Sequence, residues 1–82
     1  MTHDLKIHPE HFAPVKCGVK TCEIRKDDRD YKVGDFLCLN EWDPKTESYS
    51  GDLVHAKVTH IDQIGFEFVA LSIKLVDPLA VL

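Results

Sequence analysis

Apolar and polar residues alternate along three stretches of the chain, residues 3–8, 20–25 and 53–61, and this period places every second side chain on one face of a strand. Two further stretches, residues 36–42 and 66–75, are rich in aliphatic and aromatic residues that favour strands. In the first stretch, Leu5 and Ile7 fall on one side and polar residues fall on the other. The last stretch is apolar on both sides, which predicts a strand inside the sheet that is covered on both faces. The predicted strands cover residues 3–8, 20–25, 36–42, 53–61 and 66–75.

One short helix is predicted between the first two strands. Pro9 suits the first turn of a helix, Phe12 and Val15 follow at helical spacing, and Gly18 can cap the C-terminal end. Pro14 falls within this segment, where its ring clashes with the carbonyl group four residues earlier. We therefore expect the helix to be short or kinked.

Polar stretches connect the strands at residues 26–35, 43–51 and 62–65, which we predict to be loops and a turn. Five strands and one helix in 82 residues leave room for one domain with one core. Curling so small a sheet into a barrel buries its apolar face and removes its exposed edges. We predict a mainly β (α+β) fold, a small five-stranded β-barrel with one short helix after the first strand. The domain spans residues 1–82, with its core at about 3–75 and a short apolar tail at 76–82.

The charge of the chain limits its possible partners. A net charge of −4 argues against non-specific binding of duplex DNA, which requires clustered Lys and Arg. The charge is unevenly distributed, because residues 1–34 carry seven basic and six acidic side chains, whereas residues 35–82 carry three and eight. We therefore expect any surface that binds anions to come from the first part.

The hydropathy of the chain bears on its location. No stretch approaches the roughly 20 apolar residues that a membrane-spanning helix needs. The first residues are polar and contain no apolar signal region. These features predict a cytoplasmic protein without a membrane partner.

Cysteine and histidine residues offer no clear metal site. Three cysteines without a secretory signal predict reduced thiols, with Cys22 and Cys38 as small core residues. The five histidines include no pair at the spacing that directs two ligands toward one ion. We expect His60 to lie at the margin of the core, and we predict neither a metal nor another cofactor.

The densest group of reactive side chains lies between residues 18 and 25. After Gly18, a strand would direct Thr21, Glu23 and Arg25 to one side, with Lys20 at its start. Two cations beside a carboxylate and a hydroxyl group can hold a phosphate or a polar heterocycle. The alternative is a solvated strand face whose Glu–Arg pair adds about 0–1 kcal/mol of stability.

The pattern G-x-K-x-x-E-x-R, formed by Gly18, Lys20, Glu23 and Arg25, resembles the signature of ASCH domains. These are small β-barrels of the PUA-like superfamily, a group implicated in RNA binding and RNA-linked regulation. The resemblance covers about residues 3–75 and is strongest to a compact branch of bacterial and phage proteins of undefined function. It implies that the chain is a single ASCH/PUA-like domain with a ligand cleft between the helix and the barrel.

The resemblance also implies which residues would bind a ligand. Lys20, Glu23 and Arg25 would line the cleft, and the loop that carries Arg29 and Lys32 would form its rim. We add Thr21 to the site because it shares the strand face of Glu23 and Arg25 and offers a hydroxyl group. Single-stranded RNA is often bound by bases stacked on aromatic rings. Trp42 is the aromatic residue that we include in this site, with Tyr31 and Tyr49 as further candidates.

The resulting hypothesis is an RNA- or nucleotide-binding module, and two alternatives stay open. Some ASCH-like proteins are amidohydrolases that act on acetylated cytidine, using a Lys, a Thr and a later Glu. Lys20 matches the first, but Glu23 stands at the Thr position and the later Glu has no counterpart, so we assign no catalytic residue. The second alternative is a protein-interaction module in bacterial or phage regulation, which would use the apolar residues 79–82 and the acidic second part.

Overall fold

The computed structural model describes residues 1–77 and residue 79. Five strands and one helix follow one another along the chain: β1 (Thr2–Ile7), α1 (Pro9–Lys16), β2 (Cys22–Lys26), β3 (Phe36–Asp43), β4 (Ser48–Ile64) and β5 (Phe68–Val76). The strands form a single sheet in the order β1-β3-β4-β5-β2. This confirms the predicted mainly β fold with one short helix after the first strand.

The sheet curls into a half-barrel. β1 lies parallel to β3, and every other neighbouring pair is antiparallel. β1 and β2 are the two edge strands, and among the described residues no backbone ladder joins them. We call the gap between them the β1–β2 seam. It brings the first strand of the chain, the residues after the helix and the loop after β2 into one region.

The core lies on the concave face of the sheet and is closed by the helix. α1 contributes Phe12 and Val15, which are 2% and 0% exposed. Leu5 and Ile7, which alternation placed on the apolar side of β1, are both buried. In β5, the side that carries Val69, Leu71 and Ile73 is the buried one. The buried apolar side chains of the strands include Leu5, Ile7, Leu37, Leu39, Ala56, Val58, Val69, Leu71 and Ile73.

The second face of β5 differs from the prediction. β5 does lie inside the sheet, paired with β4 on one side and β2 on the other. Phe68, however, is 46% exposed, and Ala70 and Ser72 are only partly buried. The expectation of cover on both faces was wrong because the only helix among the described residues packs on the concave side.

The helix runs through Pro14 instead of stopping at it. Its first turn is closed by hydrogen bonds to the His8 carbonyl group, and its far end by Gly18, whose φ is +83°. In so short a helix Pro14 removes one intrahelical hydrogen bond, and the buried side chains on either side of it hold the segment on the core.

β4 is longer than the sequence pattern indicates. Residues 48–51 of the predicted loop and residues 62–64 of the predicted turn belong to this 17-residue strand. The extension at its start pairs Tyr49 with Trp42, next to a shift of register between Asn40 and Trp42. Residues 48–51 have the polar composition of a loop, but they form a strand because this part of β4 pairs with β3.

The predicted apolar tail falls mostly outside the described residues, which exclude Pro78 and residues 80–82. Leu79 is 75% exposed. In the part of the chain that the structure describes, no helix has the length and apolar character needed to cross a membrane.

Candidate functional site

β2 presents its polar side chains to the concave side of the half-barrel. Glu23 lies opposite the fully buried Leu71 of β5, and directly paired residues share a face. Arg25 follows on the same face, two residues later. Cys22 is only half-buried and Ile24 is 61% exposed, so the prediction of Cys22 as a core residue was wrong. The apolar side of this edge strand faces outward because its inner side lines an open cleft.

The Glu23 carboxylate is buried, with 5% of its side chain exposed, and both oxygens contact cations. Oε2 accepts a hydrogen bond from Arg25 Nε at 2.6 Å, and Oε1 accepts one from Lys20 Nζ at 3.4 Å. Lys20 Nζ also lies 3.5 Å from His11 Nδ1. A buried carboxylate needs such partners to remain charged. Glu23 is therefore placed to orient the two cations.

Two guanidinium groups bridge the β1–β2 seam. Arg25 Nη2 donates to the Lys6 carbonyl group at 2.8 Å, and Arg29 Nη1 donates to the Asp4 carbonyl group at 3.1 Å. Residues two apart in a strand direct their carbonyl groups to the same edge, here the edge of β1 without a neighbouring strand. The arginines thus satisfy acceptors that a further strand would otherwise pair with.

A cleft of about 530 Å³ opens between α1, β1 and β2, and we call it the helix cleft. Its volume lies within the range of small-molecule sites. Its lining includes one carboxylate, that of Glu23, and four cations. The cations are Lys6, Lys20, Arg25 and Lys26. In a chain of net charge −4, this concentration makes the helix cleft suited to anions.

A second cleft of about 430 Å³ adjoins the seam, and we call it the tyrosine cleft because Tyr31 and Tyr49 line it. Two carboxylates, Asp4 and Asp28, face it together with four cations. These cations are Lys6, Arg25, Lys26 and Arg29, of which the first three also line the helix cleft. The two clefts therefore share their cationic border.

The structure brings most of the predicted site residues to these clefts. Lys20, Thr21, Glu23 and Arg25 line the helix cleft, and Arg29 lines the tyrosine cleft. Lys32 lines neither, and its exposed ammonium group lies 3.6 Å from Asp30. Trp42 also lies outside both linings, but its ring centroid is 4.4 Å from Lys6 Nζ.

Tyr31, a further candidate for stacking a base, lines the tyrosine cleft but belongs to the structural core. It is 9% exposed, and its ring centroid lies 4.7 Å from that of His3. Burial raises the pKa of its hydroxyl group. His3 Nε2 in turn donates to Asp35 at 2.8 Å, and this hydrogen bond holds the pKa of Asp35 below its usual value. Of the two tyrosines, Tyr49 is the accessible one, at 55% exposed.

Among the basic and histidine side chains that line the clefts, three were not recognised in the sequence: Lys6, His11 and Lys26. Alternation did place Lys6 on the polar side of the first strand. Nothing in the sequence indicated that β1 and β2 would be the two edges of one curled sheet. That arrangement alone brings Lys6 beside Arg25.

The five histidines are possible metal ligands. Within residues 1–77 and 79, no group of three or more His, Cys, Asp or Glu side chains could hold a metal ion. His60 is exposed and lies 3.2 Å from Asp62, so its predicted place at the core margin was wrong. His8 lines the helix cleft.

The fold and its clefts define a small β-rich half-barrel with a cationic seam between its edge strands. Residues 2–73 match the family described as Domain of unknown function (DUF3850), and the chain belongs to this family. It is similar to a protein of Escherichia phage P2 described as "Uncharacterized 12.9 kDa protein in GpA 3'region", with 37% identity over 62 residues. That match covers 76% of this chain and 55% of the phage protein, so the chain spans about half the length of this relative.

Proposed function

We propose that this domain is an RNA- or nucleotide-binding module of the ASCH, PUA-like type, and that the helix cleft receives a phosphate-bearing ligand. The observation that carries the proposal is the charge of this cleft. Four cations face one carboxylate there, although the chain as a whole is acidic. That carboxylate, Glu23, already interacts with Lys20 and Arg25 through both of its oxygens.

The hydrogen-bonding capacity of Arg25 supports a phosphate ligand. A guanidinium group has five N–H donors in a planar fork. One donates to Glu23 and another to the Lys6 carbonyl group, so the geometry of the fork is set while further donors stay available. Lys20 adds an ammonium group on the same side of the cleft. Such a preorganised pair is suited to the bidentate contacts that phosphates accept.

The acidic total charge favours a local contact over a broad electrostatic attraction. For single strands, the logarithm of the affinity changes with the logarithm of the salt concentration by about −0.7 for each phosphate contacted. Contacts from Lys20 and Arg25 alone would give a slope of about −1.4. A much steeper slope would indicate extended backbone neutralisation, which the eight acidic residues between 35 and 82 oppose.

The test is an NMR titration of the labelled chain with the four nucleoside 5′-monophosphates and with a single-stranded RNA octanucleotide. We expect shift changes to concentrate on residues 18–26 and His11, which surround the helix cleft. Lys20→Gln should weaken binding roughly tenfold or more, because a hydrogen bond to a charged group contributes about 1.5–3 kcal/mol.

Lys57→Gln is the matched control, since Lys57 is exposed on β4 and lines neither cleft. It should bind as the unmodified chain does. Shift changes that avoid residues 18–26, equal binding by Lys20→Gln, or no binding of either probe would each contradict the proposal.

A further inference from the structure

The two clefts meet at the β1–β2 seam, and we propose that they form one track for a single-stranded polynucleotide. Consecutive nucleotides would occupy the helix cleft and the tyrosine cleft, with Tyr49 as a stacking platform for one base. This inference rests on the proposed function and specifies its ligand as a chain of nucleotides, not a free mononucleotide.

Charge is the first observation that supports a continuous track. Of the ten Lys and Arg residues in the chain, five line one or both clefts. Lys6, Arg25 and Lys26 line both, so they lie at the boundary between the two. In a bound strand this boundary is where the phosphate linking two nucleotides would lie. A cationic groove that follows the backbone is a general feature of proteins that bind single strands.

The aromatic side of the tyrosine cleft is the second observation. Tyr49 is 55% exposed and pairs across the sheet with Trp42. Lys6 Nζ lies 4.4 Å from the Trp42 ring centroid and 5.8 Å from that of Tyr49. One ring is therefore accessible to a base, and a cation stands beside it at the boundary of the two clefts. Base stacking combined with a neighbouring cation is the usual means of binding unpaired nucleotides.

The bridging arginines favour a ligand that crosses the seam from outside. Arg25 and Arg29 already donate to the free edge of β1, so a peptide strand inserted there would have to displace both. A polynucleotide needs no backbone pairing with β1 and can lie across the guanidinium groups, which keep further N–H donors. The seam is thus closed to an added strand and open to a phosphate chain.

Chain length is the variable that tests this inference. Affinities of uridine monophosphate, a uridine dinucleotide and a uridine octanucleotide would be compared by competition against a fluorescent octanucleotide, with the DNA counterparts in parallel. We expect the RNA or DNA octanucleotide to bind at least about tenfold more tightly than the mononucleotide of the same sugar, since one stacked base supplies that much.

In Tyr49→Ala the octanucleotide should bind only about as tightly as the mononucleotide, so the ratio of the two affinities should fall toward one. Phe66→Ala removes a fully exposed aromatic ring at the turn between β4 and β5, away from both clefts, and should leave the ratio unchanged. Because Tyr49 is exposed, the folded state should tolerate its substitution, which circular dichroism would verify.

The outcomes separate this inference from the proposed function. If the mononucleotide binds at the helix cleft and a longer chain gains nothing, the track is refuted and the proposed function stands. An undiminished ratio in Tyr49→Ala likewise refutes the stacking platform. If neither the mononucleotide nor the octanucleotide binds, the proposed function fails and the track fails with it.

Discussion

Replacing Arg25 with methionine should destabilise the domain more than its place beside an open cleft suggests. Methionine keeps much of the apolar stem but removes the guanidinium group. The Glu23 carboxylate, 5% exposed, would then retain the Lys20 contact at 3.4 Å and lose the shorter one. The Lys6 carbonyl group would also lose its donor across the β1–β2 seam.

The expected loss of unfolding free energy is about 2–3 kcal/mol. Removing one partner of a fully buried ion pair costs about 3–5 kcal/mol. The Arg25 side chain is 20% exposed, so water can reach part of the site and the loss is smaller. Domains of 82 residues have roughly 4–12 kcal/mol of stability at the usual value per residue. The variant should therefore fold, with a clearly lower midpoint of denaturation.

Urea unfolding followed by the fluorescence of Trp42, the only tryptophan, measures this loss. Arg29→Met is the matched control, because Arg29 also donates to a β1 carbonyl group but forms no ion pair within the described residues. It should cost less than about 1 kcal/mol. Combining Glu23→Gln with Arg25→Met should recover at least about 1 kcal/mol, since no buried charge is left unpaired. A loss equal to that of the control, or no recovery in the double variant, would refute the proposed role of the pair.

Three further predictions concern stability and reactivity. The hydrogen bond with His3 lowers the pKa of Asp35 in the folded state, so the contribution of Asp35 to stability is present above about pH 4, the unfolded value, and is lost as the pH falls through the folded pKa. In Asp35→Asn the urea midpoint should therefore fall less between neutral and acidic pH than in the unmodified chain. An equally steep fall would contradict this. Gly18→Ala should lower the free energy of unfolding by about 1–2 kcal/mol in the same urea assay, because φ is +83° at this position while the space around the new Cβ is open. An unchanged midpoint would mean that the helix end relaxes freely. Burial raises the pKa of the Cys38 thiol, so a thiol reagent at mildly alkaline pH should modify the exposed Cys17 first and Cys38 last, and mass spectrometry of the digested chain would reveal any reversed order.

Local periodicity was sufficient to predict that this domain consists of five strands and one helix. Alternation in β1 placed Leu5 and Ile7 on its apolar side, and both are buried. Helical spacing identified Phe12 and Val15 in the same way. These predictions succeed because a side chain's direction within one element depends only on the period of that element.

The same periodicity could not decide which face of β2 points inward. It placed Glu23 and Arg25 on one face and Cys22 on the other, and we predicted Cys22 as a core residue. The opposite holds, with Glu23 at 4% and Ile24 at 61% exposed. β2 is an edge strand, and its inner face borders the helix cleft. Which residues of such a strand are buried depends on the groups across the cleft, and here those groups include cations that pair with Glu23.

Sequence by itself determined the number and approximate position of the strands, the early helix, the inward-facing residues of β1, and the dense group of charges after Gly18. Tertiary structure alone decided that β1 and β2 become the two edges of a half-barrel and that Arg25 bridges them to the Lys6 carbonyl group. Lys6 and Arg25 are 19 residues apart, and no local period relates them. Contacts of this kind arise from the order and curl of the strands, which follow from how the entire core packs.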